Sequence, residues 1–158
     1  MKQINELQNI INHAKHIVFF TGAGVSTDSG IPDFRSTDGL YNMKYDFPPE
    51  TIISHSFFMD NPEEFYRFYR DKMIYPDARP SITHHFIAKC EAKGISSGVI
   101  TQNIDGLHTS AGSENVIELH GSVLRNTCMK CGKKHSLSSI MTADKLPLCS
   151  CGGLIKPD

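Results

Sequence analysis

Ile17-Val18-Phe19-Phe20-Thr21-Gly22-Ala23-Gly24-Val25-Ser26, residues 17–26, is the stretch on which the reading of this chain turns. Four apolar residues in a row suit a short strand buried on both faces. The run passes without a break into a glycine-rich turn. Gly22 and Gly24 let backbone N–H groups approach a pyrophosphate, and the start of a following helix adds positive dipole. The loop alone is a weak signal. The usual dinucleotide fingerprint has a third glycine that this loop lacks, and a plain strand-to-helix turn explains the loop equally well.

Working outward, Ile4, Leu7, Ile10, Ile11 and Ala14 recur at helical spacing and predict an amphipathic helix over about 3–14. Asp28 to Tyr45 is polar, punctuated by Gly and Pro, and reads mainly as loop. Asn61-Pro62-Glu63-Glu64 starts a helix with Phe65, Phe68, Tyr69 and Met73 on its apolar face. Ser81 opens another, with Ile82, Phe86 and Cys90 on one side and Gly94 as its stop. Gly98 to Thr101 and Val116 to Leu119 read as a second and a third buried strand. Strand, Gly-rich turn, helices, strand, short helix, strand is α/β order, with a parallel sheet expected. About three buried strands can be counted, one of them left as an open edge.

Polar clusters follow the strands. Thr101-Gln102-Asn103-Ile104-Asp105-Gly106-Leu107-His108 sits at the end of the second, where ligands of open α/β sheets bind. Its amides and carboxylate suit a carboxamide ring or ribose hydroxyls; a self-satisfied turn explains Asp105-Gly106 but not the whole run. Leu119-His120-Gly121 ends the third strand. A histidine there suits a general base, and Gly121 leaves room for a substrate. Gly30-Ile31-Pro32-Asp33-Phe34-Arg35 would carry an aromatic and an arginine back over the glycine loop, with Arg35 able to meet a phosphate or carboxylate. An exposed loop with a surface ion pair explains the same spacing. The remaining histidines, His13, His16, His55, His84, His85 and His135, are assigned to helices or surface, and His108 is left open.

Five cysteines are present. Cys128-Met129-Lys130-Cys131 and Cys149-Ser150-Cys151 form two close pairs separated by the 17 residues Gly132 to Leu148. Four thiolates so spaced make a closed tetrahedral site, structural rather than catalytic, for zinc or a rubredoxin-type iron. Cys90 reads as a small buried hydrophobe.

Composition narrows the class. The chain has 158 residues, 16 Lys+Arg against 17 Asp+Glu, and a formal charge of -1. A near-neutral balance argues against a polyanion-coating nucleic-acid binder. With 39% hydrophobic and 21% charged residues, a packed core is expected and disorder is not. No apolar run approaches the roughly 18 residues of a membrane span, and Met1 to Phe20 lacks a secretory signal, so a cytoplasmic protein is expected.

Taken in order, GAGVSTDSGIPDFRS at 22–36, TQNIDGLH at 101–108, LHG at 119–121 and the paired cysteines resemble the sirtuin family of NAD-dependent protein deacylases, its bacterial branch most. The resemblance implies a Rossmann-like parallel sheet, incomplete here, with a small zinc-ribbon domain and a helical insert. Residues 1–36 and 81–126 would form the NAD-binding part and 37–80 the insert with the cofactor-loop extension. Residues 127–152 would form the zinc module, and 153–158 the return toward the sheet. It further implies that Gly22, Ala23, Gly24 and Thr27 contact the dinucleotide, and that Asp33, Phe34 and Arg35 belong to the cofactor loop. Gln102 and Asn103 would approach the ribose, and Ile104 and Asp105 would line the nicotinamide pocket. His120 would be the general base that draws a proton from a ribose hydroxyl. Cys128, Cys131, Cys149 and Cys151 would hold one structural Zn2+. The implied substrates are NAD and acetyl-lysine proteins, and the products free lysine, nicotinamide and O-acetyl-ADP-ribose, with no membrane or specific nucleic-acid partner. Members preferring acidic acyl groups carry Tyr-x-x-Arg in the insert. Here Tyr66-Arg67-Phe68-Tyr69 has Tyr69 in place of the arginine, which implies neutral acyl groups. Members also continue past the position matched by Asp158, with strands that hold the adenosine half of NAD, so this chain alone is expected to carry an incomplete site. Two readings from other classes stand beside this one. A non-catalytic zinc-ribbon module would bind protein or nucleic acid. A different Rossmann-like oxidoreductase would want a third glycine and an acid about 20 residues beyond the loop.

Overall fold

In the computed structural model of the chain, which describes residues 2–33 and 45–158, the apolar segments resolve into two small sheets linked by helices. In chain order the elements begin with α1 (Lys2–His13), β1 (Phe19–Thr21) and a 3-10 helix (Ala23–Ser29). Next come α2 (Pro49–Ile52), α3 (His55–Asp60), α4 (Pro62–Lys72), α5 (Ile82–Ala92), β2 (Val99–Thr101), α6 (Leu107–Ser110) and β3 (Val116–Glu118). The chain finishes with β4 (Asn126–Cys128), β5 (Lys134–His135), α7 (Leu137–Met141) and β6 (Ile155–Pro157).

The first sheet is parallel, in the order β1-β2-β3, as the α/β order predicts. Its register places Phe19, Val99 and Val116 side by side, then Phe20, Ile100 and Ile117. Successive side chains alternate in direction, so these two rows line opposite faces. The first row is met by α5, whose Phe86 ring stands edge-on to Phe19 with centroids 6.4 Å apart. The second row is open: Phe20 is 65% and Ile117 58% exposed. The expected burial of the first and third strands on both faces is therefore corrected to burial on one. The amphipathic helix forms as α1, yet its Ile4, Leu7 and Ile10 also face solvent rather than this row.

Two further expectations change. The glycine loop enters a 3-10 helix instead of an α-helix, closed by Gly30 at φ 82°, where its N–H bonds to the Thr27 carbonyl. So short a helix lends less dipole to a ligand than a full α-helix does. In α5, Cys90 is buried as expected, but Ile82 is 81% exposed and Phe86 is largely exposed. The buried stripe is His84, Ile87, Ala88 and Cys90. Polar partners at the helix start draw His84 inward and rotate the stripe.

The second sheet is antiparallel, in the order β5-β4-β6. It shares one core with α3 and α4, built from Phe58, Phe65, Tyr66, Tyr69, Ile140 and Ile155. The helix start at Asn61-Pro62 is where the sequence puts it, and Phe65, Tyr66, Phe68 and Tyr69 are its buried residues. Polar pins reinforce this joint. The Tyr66 hydroxyl donates to the Ile155 carbonyl. Arg70 donates from Nε to the Ile140 carbonyl (2.9 Å) and from Nη2 to that of Lys145 (2.7 Å). Tyr66→Phe leaves the buried Ile155 carbonyl without its hydroxyl partner. Urea unfolding should show a loss of about 1–3 kcal/mol; an unchanged midpoint would remove the pin from the account.

Candidate functional site

The parallel register brings the C-terminal ends of β1, β2 and β3 together, and each end is followed by polar residues. Beyond β1, Gly22, Ala23 and Gly24 line a cleft of about 550 Å³ with Thr21, Val25, Thr83 and Phe86. The space over the Gly24 Cα is empty, so the backbone there is open to a ligand. Gln102 reaches back over the loop, its Nε2 lying 3.5 Å from where a Cβ on Gly22 would sit. Thr27 is exposed and donates its hydroxyl to the Gly24 carbonyl (3.0 Å). Asp33 is partly buried past the 3-10 helix; Phe34 and Arg35 lie outside the described residues.

Beneath the loop lies a buried polar network. Ser26, 1% exposed, donates its hydroxyl to Asp105 Oδ2 at 2.6 Å. It accepts from Asn103 Nδ2 at 3.0 Å. Asp105 Oδ1 takes the Leu107 N–H at 2.9 Å, so both oxygens of the carboxylate are held. Below Ser26 stands His84, with Nε2 3.5 Å away. His84 Nδ1 accepts the N–H of Ser81 (3.1 Å) and contacts its hydroxyl (2.8 Å), a capping arrangement at the start of α5. His108 packs against His84 with ring centroids 4.7 Å apart, and its Nε2 meets the Thr21 hydroxyl at 2.9 Å. Burial holds both imidazoles below the ordinary histidine value, His108 down to about 4 with the neighbouring His84 adding to the effect. The assignment of His84 to helix or surface missed this role. The Ser81-x-x-His84 spacing, a capping-box interval, was the signal that could have found it.

His120, just past β3, is exposed. Its Nδ1 lies 3.0 Å from the Gln102 carbonyl. A carbonyl can only accept, so Nδ1 carries the proton and Nε2 keeps a free lone pair. Gly121 follows at φ 77°, and a Cβ there would collide with the Asp158 backbone, so only glycine fits. Ile104 is tied to the same turn, its carbonyl accepting the Val123 N–H at 2.9 Å. The structure thus gathers Gly22, Ala23, Gly24, Gln102, Asn103, Asp105 and His120 at one end of one sheet.

The four cysteines form a separate centre. The ligand atoms of Cys128, Cys131, Cys149 and Cys151 lie within 4.8 Å of one another, with Sγ pairs at 3.5 Å (Cys128–Cys151) and 3.8 Å (Cys131–Cys149). Sulfurs at tetrahedral corners 2.3 Å from a zinc stand about 3.8 Å apart, so this donor set fits the ion. Backbone N–H groups, that of Cys131 first, pull the Cys128 thiol down to about 6, so a thiolate is available at neutral pH. Gly153 is needed beside it, because a Cβ would lie 2.7 Å from Cys128 Sγ.

Comparison with known proteins gives these positions a context. The Sir2 family model matches residues 22–158. Over 162 aligned residues the chain is 51% identical to an NAD-dependent protein deacetylase of Clostridium acetobutylicum, covering 100% of this chain and 66% of the relative. A deacetylase of the same name from Clostridium perfringens is 53% identical, covering 99% and 65%. The chain therefore spans just under two thirds of the length of these relatives. Among solved structures it superposes on a Sir2 bound to a deacetylated p53 peptide and 3'-O-acetyl-ADP-ribose, with a TM-score of 0.87 and 42% identity over 98% of this chain and 63% of that one. A Sir2 bound to an acetylated peptide gives 0.81 and 41%, over 98% and 62%.

Two outcomes are expected. Metal analysis should find about one zinc per chain, lost together with part of the fold in Cys128→Ser; a metal-free yet fully folded wild type would refute the site. The histidine pair makes a pH prediction whose sign is fixed. A folded-state value below the unfolded 6.5 means the unfolded chain takes the proton first. Stability should therefore fall from about pH 6.5 to pH 4, by up to about 3 kcal/mol from His108, and the fall should flatten in His108→Phe. Denaturant titrations across that range check it.

Proposed function

This chain belongs to the Sir2 family, and from that premise we propose that the protein removes acetyl groups from lysine side chains of other proteins, with NAD consumed as co-substrate. The observation that carries the reading is the His120 tautomer, fixed by the Gln102 carbonyl so that Nε2 is the free base. NAD supplies the electrophilic ribose carbon from which nicotinamide departs. This chain's residues supply the setting for it. The Gly22–Gly24 backbone receives the diphosphate. Gln102 and Asn103 approach the ribose, and Asp33, Phe34, Arg35 and Thr27 complete the cofactor contacts. Ile104 and Asp105 line the nicotinamide site. His120 takes a proton from a ribose hydroxyl at Nε2. Cys128, Cys131, Cys149 and Cys151 hold zinc away from the chemistry and brace β4 and β6.

In domain terms, residues 1–36 and 81–126 serve the dinucleotide, 37–80 form the insert, 127–152 the zinc module and 153–158 the return toward the sheet. The expected location is the cytoplasm; no helix among the described residues is long and apolar enough to cross a membrane. The acyl preference is for neutral groups. Tyr66 and Tyr69 are buried. Arg67 is paired with Glu64 (2.9 Å), and Arg70 is held by the Ile140 and Lys145 carbonyls. The two arginines of α4 that flank Tyr66 thus both have partners, which supports the neutral preference.

Nicotinamide release from NAD and an acetyl-lysine peptide tests the function, with this chain and with a longer form that includes the region its relatives possess. His120→Ala should cut the rate by 10²-fold or more; a variant as active as wild type would refute the general-base role. In an acyl-peptide series acetyl-lysine should outpace succinyl-lysine, and the reverse order would overturn the acyl assignment.

A further inference from the structure

The proposed reaction does not use His108. It is 1% exposed, and its Nδ1 is buried with no protein partner. A leucine or phenylalanine at this position would bury no such nitrogen. What the imidazole supplies instead is Nε2 and the ring. Nε2 bonds Thr21, the last residue of β1 and the neighbour of Gly22. The Thr21 carbonyl in turn accepts the Gln102 N–H at 3.0 Å. The ring packs on His84 at 58°.

His84 is fixed at both edges. The Ser81 N–H takes its Nδ1, which leaves the proton on Nε2, facing Ser26. Ser26 already accepts from Asn103, so its single hydroxyl proton points to Asp105. His108 packs against this fixed ring, with centroids 4.7 Å apart. The turn that begins α6 and carries His108 also grips the other carboxylate oxygen, through the Leu107 N–H.

We propose that His108 is a positioning residue for the Asp105 carboxylate, acting through its ring contact with His84, its bond to the hydroxyl of Thr21 and the α6 turn that holds Asp105 Oδ1. The proposal rests on the reading of Asp105 as a nicotinamide contact given above. Its consequence is that nicotinamide affinity depends on the buried His108 and the half-buried Thr21, two groups outside the set that lines the proposed nicotinamide site.

Nicotinamide alone, titrated into the zinc-loaded chain and followed by NMR shifts, tests it. Thr21→Val, which keeps shape and removes the hydroxyl, and His108→Phe should each weaken binding about tenfold. His108→Gln, whose amide can still reach Thr21, should restore most of it. That rescue is a result which simple loss of packing would not give, because glutamine fills the space less well than phenylalanine does. Asp105→Asn serves as the reference. If it weakens binding while Thr21→Val and His108→Phe bind as wild type does, the proposal is overturned and the nicotinamide reading stands. If Asp105→Asn binds as well as wild type, the nicotinamide reading fails and the proposal with it. Should His108→Phe not fold, Thr21→Val carries the same test.

Discussion

The Ser26 hydroxyl has one proton to give, and it gives it to Asp105. That bond ties the glycine loop after β1 to the polar turn after β2. Ser26 is buried and Asp105 partly so, and breaking the bond would leave the Ser26 hydroxyl, shut off from water, without its acceptor. Asn103 and His84 then have to meet Ser26 as donors, and α5 must begin where Ser81 can accept the role of cap. A glycine at position 26 could not make this connection.

A second constraint acts on the other half of the molecule. The sulfurs of the four cysteines converge to distances that suit one ion, and Cys128, Cys149 and Ile155 are buried in the same core as Phe65, Tyr66 and Tyr69. Tyr66 and Arg70 add directed bonds across that joint. Zinc, held in a closed set of four thiolates, has no open position for chemistry. What it can transmit is shape, from β4 and β6 into the helix that carries Tyr66.

The sequence shows some of this plainly. Ile17 to Gly24 foretells a strand and a turn, the Asn61-Pro62 start foretells α4, and the cysteine spacing foretells the four-sulfur cluster. These are local signals, written in neighbouring residues. The face of α5 was misjudged because apolar periodicity favours Ile82 and Phe86, whereas polar partners distant in sequence pull His84 inside. Burial of Phe20 and Ile117 was overestimated for a related reason: an apolar run says that a strand can be buried, and what packs on it is a tertiary matter. At the site, His120 and Asp105 are legible from their places after strands. Neither the Ser26–Asp105 bond nor the His84–His108 contact has a local trace.

The register of the parallel sheet also bears on how the chain comes together. Phe19 lies beside Val99, and Val99 beside Val116, so β1 finds its partner only after the whole helical insert has been passed. Closing so long a loop costs entropy before any pairing contact offsets it. The cysteine knuckles, by contrast, join residues close in sequence and can form around an ion with little closure cost. The β1–β2 pairing is therefore the slow step of assembly: it joins residues 80 apart in sequence (Phe19 with Val99), whereas β4 and β6 are joined across 27 to 31.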